Sequence, residues 1–210
     1  MIKILIADDH PVVRKGLREI IEEISDMKVA DEAGSGQEVL AKVLKKDFDV
    51  VLLDISMPGR SGLDILKELK SQLPKLAVLV LSIHPEEQYA VRAMKAGAAG
   101  YLTKNSAPDE LVTALRKVSA GGKYVSSSLA EKLAVALETG IEKPPHENLS
   151  AREYEVMRKI ASGKTGAEIA KELFLSPKTI STYRARILEK MAMKNNAELI
   201  RYAIKNRLVD

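Results

Sequence analysis

Five short apolar runs punctuate the first 120 residues, and stretches with the apolar spacing of a helix follow them. The runs are Ile4-Leu5-Ile6-Ala7, Val29-Ala30, Val50-Val51-Leu52-Leu53, Val78-Leu79-Val80-Leu81 and the brief Gly100-Tyr101-Leu102. A strand with one wet face alternates polar and apolar residues. A strand that is apolar throughout is covered on both faces, the environment of a parallel sheet between two layers of helices. Helical patterns near 12–24, 36–46, 62–71, 86–96 and 108–120 provide those layers. Such a series of βα units predicts a doubly wound α/β domain with a five-stranded parallel sheet over residues 1–120.

The pattern changes after that. Residues 121–148 begin with Gly121-Gly122, contain a helix-like run from Ser128 to about Glu138, and end in a stretch with Gly140, Pro144 and Pro145. Paired prolines cannot continue a helix, so this part reads as a linker with a short helix, and the boundary falls near residue 148. From Ser150 onward the signals are helical only. Ser150 with Glu153, Thr165 with Glu168, and Asn195 with Glu198 fit the capping box, and Ser176 precedes Pro177 at a first helical position. Four short helices are expected near 150–162, 165–173, 177–191 and 195–206, an all-α domain over 149–210.

Charge divides the same way. Residues 1–148 carry 20 basic and 22 acidic side chains, whereas residues 149–210 carry 13 basic and 7 acidic ones. A basic tail module behind a slightly acidic body suits a polyanion partner. The chain has no cysteine, which excludes disulfides, thiolate zinc sites and thiol nucleophiles but leaves oxygen-ligated metals open. No apolar run approaches the ~20 residues that span a bilayer. The start of the sequence shows no signal-peptide pattern, so a cytoplasmic location without a membrane partner is expected.

In an open α/β sheet the ligand site lies beyond the carboxyl ends of the strands. Asp8 and Asp9 follow the first strand there, Asp54 follows the third, Ser82 the fourth, and Lys104 the fifth. Three converging carboxylates repel one another and call for a hard cation, for which Mg2+ is the natural candidate. With the carboxylates screened, Asp54 is placed to attack phosphorus as a nucleophile, while Lys104 and Ser82 bind the remaining phosphoryl oxygens. The added charge would draw Ser82 and Lys104 inward, and Tyr101 would turn into the space that Ser82 leaves.

In the basic module, the helix over 165–173, the break Phe174-Leu175-Ser176-Pro177 and the helix opened by Pro177 form a helix-turn-helix, whose second helix enters the major groove. Ile180, Ile187, Leu188 and Met191 make its apolar stripe. Lys178, Ser181, Thr182, Ala185 and Arg186 lie mainly on the other faces, with Arg184 on the flank. Short side chains allow close approach to base edges, and the basic ones suit phosphate or guanine. One decoy falls away: Gly163-Lys164-Thr165 imitates the end of a P-loop, but the motif's first glycine would have to stand where the chain has Arg158. Gly163 reads instead as a helix C-cap.

The segments Ile4 to His10, Leu52 to Gly59, Ser61 to Asp64, Ser82, and Gly97 to Lys104 resemble the receiver domain of two-component response regulators, a flavodoxin-like fold. The stretch Leu149 to Glu153, with Ile169-Ala170, Leu173, Leu175-Ser176, Lys178-Thr179-Ile180 and Tyr183, resembles the LuxR-type DNA-binding domain. Together they resemble a NarL/FixJ-type response regulator. The resemblance implies that Asp54 is the phosphoacceptor, and that Asp9, Asp54 and the backbone carbonyl of Ser56 coordinate Mg2+ with the help of Asp8. It further implies a histidine kinase as phosphodonor and operator DNA, met through Lys178, Thr179, Ser181, Thr182, Arg184, Ala185 and Arg186. A homodimer on phosphorylation or on DNA is also implied. Three positions depart from common patterns: Asn105 follows the lysine where many receivers have proline, Tyr183 stands where many relatives have histidine, and Gly166 replaces a larger polar residue. An alternative is a phosphorylation-independent regulator whose receiver serves only as a protein-interaction platform. A phosphatase working through an aspartyl intermediate would need a second acid two residues after Asp54, and that position is Ser56. The chain is therefore expected to accept phosphate rather than turn over a substrate.

Overall fold

The computed structural model describes residues 1–57, 60–84, 86–126, 129–130 and 144–209, with the side chains of Glu87 and Gln88 left aside. The chain divides into two compact units, Met1–Leu133 and Ala134–Asp210. Among the described residues, no helix is long and apolar enough to cross a membrane.

The first unit alternates β1 (Ile2–Ala7), α1 (Pro11–Glu22), β2 (Met27–Ala33), α2 (Gly36–Val43), β3 (Val50–Asp54), α3 (Gly62–Gln72), β4 (Ala77–Ser82), α4 (Glu86–Lys95), β5 (Gly100–Thr103) and α5 (Pro108–Ser119). All strand pairs are parallel, in the order β2-β1-β3-β4-β5. The order reverses between β1 and β3, and that switch point is where open sheets of this kind bind ligands. Ile4, Ile6, Val50, Leu52, Leu79 and Leu81 form one core cluster with Ile21 of α1 and Leu111, Ala114, Leu115 and Val118 of α5. The intervening Leu5, Val51, Leu53, Val78 and Val80 are also sealed from solvent. Burial of both faces is the physical content of the unbroken apolar runs.

The chain does not leave this unit at the end of α5. Tyr124 bridges to Gly100, its hydroxyl donates to Glu110 Oε1 at 3.0 Å, and Lys123 Nζ donates to the Ala98 carbonyl at 2.6 Å. Leu129 is buried. The opening part of the stretch read as linker therefore packs on the first unit, because the aromatic Tyr124 and the long side chain of Lys123 find partners there. Most of the helix-like run from Ser128 to Glu138 lies outside the described residues.

Gly62 requires comment because of what lies against it. A Cβ on this residue would come 2.3 Å from Ile55 Cα and 2.8 Å from the Ile55 carbonyl oxygen. The first turn of α3 thus lies backbone against backbone on the turn that follows Asp54.

The second unit contains a short 3-10 turn (Pro145–Asn148) and then α6 (Ala151–Ala161), α7 (Gly166–Glu172), α8 (Pro177–Lys190) and α9 (Asn196–Lys205). Complete capping boxes start α6 and α7, and Ser176 Oγ accepts the Thr179 N–H in front of α8. At α9 the box is half made: Asn195 accepts from Glu198 N, but the Glu198 carboxylate takes the N–H of Lys194, one residue early. All four helices end in the same way. The residue two past the last helical one has positive φ, and paired backbone bonds close the turn behind it. At α6 that residue is Gly163, as read from sequence; the other three are Phe174, Ala192 and Arg207, with φ of 54°, 53° and 52°. The core gathers Tyr154, Met157, Ile169, Ile180, Ile187, Leu199 and Ala203.

Candidate functional site

Parallel register carries the ends of β1, β3, β4 and β5 to one edge of the sheet, and the side chains meet there. Lys104 Nζ donates to Asp8 Oδ2 at 2.5 Å and to Asp54 Oδ2 at 2.7 Å. Asp8 and Asp54 are buried and Asp9 is half-buried. Asp54 Oδ1 accepts the Ser56 N–H at 2.7 Å, which fixes the turn after β3 beside the carboxylates. Burial pushes the Asp54 carboxyl above its ordinary pKa, with Asp8 adding to the rise; Lys104 and the Ser56 N–H offset only part of it. For Lys104, burial pulls the ammonium down, but the two carboxylates outweigh it and hold its pKa above the usual value.

Two polar atoms here are buried without a hydrogen-bond partner, Asp9 Oδ1 and Ser56 Oγ. Ligand atoms of Asp8, Asp9, His10 and Asp54 all lie within 4.8 Å of one another. Ligands on opposite sides of a small divalent ion, at about 2.1 Å each, stand about 4.2 Å apart, so the cluster would hold one such cation after its side chains close by about half an ångström. His10 was no candidate ligand in the sequence, although it stands two residues after Asp8. Its backbone N–H donates to Asp8 Oδ1 at 2.8 Å, and its Nδ1 lies 3.2 Å from that oxygen and 3.0 Å from Asp9 Oδ1. Arg14 was missed as well. Its Nη1 donates to the Asp8 carbonyl at 2.6 Å and its Nε to Glu32 Oε2 at 2.9 Å, tying the end of β1 to β2.

Ser82 is fully buried, and its Oγ accepts the His84 N–H at 3.1 Å. Tyr101, which the sequence reading has turn inward once Ser82 moves, is fully buried in this arrangement, its hydroxyl donating to the His84 carbonyl at 2.8 Å. A backbone acceptor satisfies the phenol, as a buried tyrosine hydroxyl requires.

Ile180 and Ile187 of α8 and Met191 at its C-cap face the core of the second unit, and Leu188 is half-buried. On the outer side, Ser176, Lys178, Thr179, Thr182, Tyr183 and Arg186 line a shallow depression of about 290 Å³. Lys178, Thr179, Thr182 and Arg186 of the expected DNA contacts therefore share one surface. Ser181, Arg184 and Ala185 lie outside it. The Ser181 hydroxyl donates to the Pro177 carbonyl, and Arg184 Nε donates to Asn196 Oδ1 at 2.7 Å, holding α8 against the start of α9. Tyr183, not among the expected contacts, joins the surface; the helical spacing Thr179, Tyr183, Arg186 is the signal that identifies it. A second clamp sits at the far end of α8, where Lys190 Nζ donates to buried Glu153 at 2.6 Å. Burial pushes Glu153 up, but Lys190 and the Ser150 groups prevail and hold its carboxyl below the usual value.

Comparison with known proteins agrees with both halves. Residues 4–116 match the family model of the response regulator receiver domain, and residues 147–203 match that of bacterial regulatory proteins of the luxR family. The chain is 38% identical to response regulator UvrY of Escherichia coli K12 over 209 residues, covering 99% of this chain and 96% of that one. It is 37% identical to response regulator GacA of Pseudomonas aeruginosa PAO1 over 211 residues, covering 100% and 99%. Among solved structures, the RcsB response regulator of Salmonella typhimurium aligns with a TM-score of 0.70 at 30% identity, covering 98% of each chain. The same regulator bound to promoter rprA with a phosphomimetic beryllofluoride aligns at 0.64 and 31%, covering 96% of this chain and 98% of that one. With a receiver at one end and a LuxR-type helix-turn-helix at the other, the chain belongs to the NarL/FixJ-type response regulators of two-component systems.

Proposed function

We propose that this chain is a transcription regulator switched by phosphorylation at Asp54, with residues 1–120 as receiver, 121–148 as linker and 149–210 as DNA-binding domain. The observation that carries the reading is the bridge from Lys104 to both Asp8 and Asp54. A nucleophilic carboxylate, its neutralising ammonium and a further acid pair occupy one sheet edge. The Asp54 carboxylate attacks the phosphorus of a histidine kinase phosphohistidine or a small acyl phosphate. A P–O bond forms, and the bond from phosphorus to the donor's nitrogen or oxygen breaks, its electron pair leaving with the donor. Lys104 and Ser82 then receive phosphoryl oxygens. Asp8, Asp9, Asp54 and the Ser56 carbonyl would hold Mg2+, which supplies screening of the carboxylates and of the incoming phosphoryl charge. The chain accepts one phosphoryl group and acts on no further substrate.

The output is operator binding in the cytoplasm by a dimer, with α8 in the major groove and Lys178, Thr179, Thr182 and Arg186 closest to the duplex; Ser181, Arg184 and Ala185 flank them. Two copies would read half-sites about one helical turn, ~10 bp, apart. UvrY, GacA and RcsB are response regulators, and RcsB has been seen on DNA, which supports this reading. The test combines Asp54→Asn with mass spectrometry. The parent, incubated with Mg2+ and acetyl phosphate, gains one phosphoryl group and the variant gains none. Equal labelling of both would overturn the acceptor, and equal operator affinity with and without donor, at fixed salt, would overturn the switch.

A further inference from the structure

We propose that His10 is a nitrogen ligand of the receiver's metal site, so that this site also takes borderline divalent transition ions, of the class of Mn2+, Co2+ and Zn2+, and holds them through the imidazole. The inference rests on the reading of Asp8, Asp9 and Asp54 as a cation site and extends it. His10 is the N-cap residue of α1 but makes no side-chain cap there. Its ring is two-thirds exposed, at the mouth of the cluster, and leans on the carboxylates instead. The Nδ1 atom lies beside Asp8 Oδ1 and Asp9 Oδ1, and the latter is buried without a hydrogen bond.

Lys104 takes the Oδ2 atoms of Asp8 and Asp54. That leaves the Oδ1 side of Asp8, where the imidazole stands, for an ion. The backbone bond from His10 N to Asp8 Oδ1 holds the residue in place. Without an ion, Nδ1 is the nitrogen that donates to Asp8 Oδ1; to ligate, the ring takes the other tautomer, with its proton on Nε2 and the Nδ1 lone pair offered to the metal, which an exposed ring can do without disturbing the core.

The chemistry separates the ions. A hard ion such as Mg2+ gains little from exchanging a water for imidazole, whereas Mn2+, Co2+ and Zn2+ bind nitrogen well. One site therefore admits two classes of ion on different terms, and the residue that distinguishes them lies outside the carboxylate set.

The experiment titrates the full chain with MgCl2 and with CoCl2 in a calorimeter, for the parent, His10→Ala, His10→Gln and Asp9→Asn. Removal of the imidazole is expected to weaken Co2+ binding about tenfold in both His10 variants while Mg2+ affinity stays within about twofold. Pulsed electron paramagnetic resonance of the Mn2+ adduct gives the second readout: nitrogen coupling from a directly bound imidazole in the parent, absent from both His10 variants. The other two histidines, unchanged in these variants, serve as internal controls. Unchanged Co2+ affinity in the His10 variants, or no nitrogen coupling in a parent that binds Mn2+, would overturn the assignment and leave the carboxylate site standing. Unchanged Mg2+ binding in Asp9→Asn would instead remove the carboxylate site, and this inference with it.

Discussion

The receiver site and the outer face of α8 both gather charged side chains, but in opposite ways. At the sheet edge the charges are buried and matched across the fold, Lys104 serving two aspartates that lie 96 and 50 residues away in sequence. On α8, Lys178, Thr182 and Arg186 stand exposed on successive turns. A group that performs covalent chemistry must be held and partly dehydrated before its substrate arrives. A group that docks on a polyanion must keep its charge free until then. Mutations should therefore separate the two regions by what they change: stability and phosphoryl chemistry in the first, DNA affinity with little change in stability in the second.

The largest effect is expected at Lys104. Lys104→Ala leaves two buried carboxylates without their cation and should cost about 3 kcal/mol in urea unfolding, with part of the loss restored by Mg2+. A loss no larger than that of a surface lysine would break the contrast. Asp54→Asn should act in the opposite sense. The folded-state pKa of Asp54 is raised, so the burial penalty is greatest above that pKa and is relieved as pH falls through it. The variant should be more stable than the parent at neutral pH, and the gain should shrink as the solution is acidified.

Next in size is the effect at α8. Arg186→Ala should weaken operator binding by about 1–3 kcal/mol and lower the salt slope by about 1, while the unfolding free energy stays within about 0.5 kcal/mol of the parent. Arg184→Ala should weaken binding less, because its guanidinium is engaged with Asn196. Equal losses at the two positions would mean that Arg184 leaves Asn196 on DNA.

Ala192→Gly should stabilise the second unit by about 1 kcal/mol, since alanine there occupies a left-handed conformation that glycine adopts freely. Thermal unfolding of the full chain, with the transition of the second unit resolved, checks it.

The smallest expected effect is at Asp31, held well below the usual carboxylate range by Lys42 and Lys46. A depressed carboxyl contributes stability above its unfolded pKa and loses it in acid. Asp31→Asn should therefore cost about 0.5 kcal/mol at neutral pH, a difference that fades as pH falls below ~4.

Most of the architecture was legible because one physical cause, burial on both faces, writes itself into consecutive residues. The capping boxes of α6 and α7 were legible for the same local reason, since their donors and acceptors lie three residues apart. The readings that needed more were those settled by partners far along the chain. Nothing near Tyr101 announces that the His84 carbonyl will take its hydroxyl, nothing near Arg14 points to the Asp8 carbonyl, and Arg184 gives no sign of Asn196. Only one of the four helix ends carries the glycine that sequence reading relies on. At the other three, the exposed residues Phe174, Ala192 and Arg207 take the left-handed turn that glycine would adopt freely.

The place where α3 meets the turn after Asp54 has a mechanical consequence. Because Gly62 allows no gap between the two backbones, the turn cannot relax alone when its neighbour gains a charged group. It must either stay rigid or carry the start of α3 with it. A methyl group at position 62 would act as a wedge, prising the start of α3 away from that turn before any signal arrives.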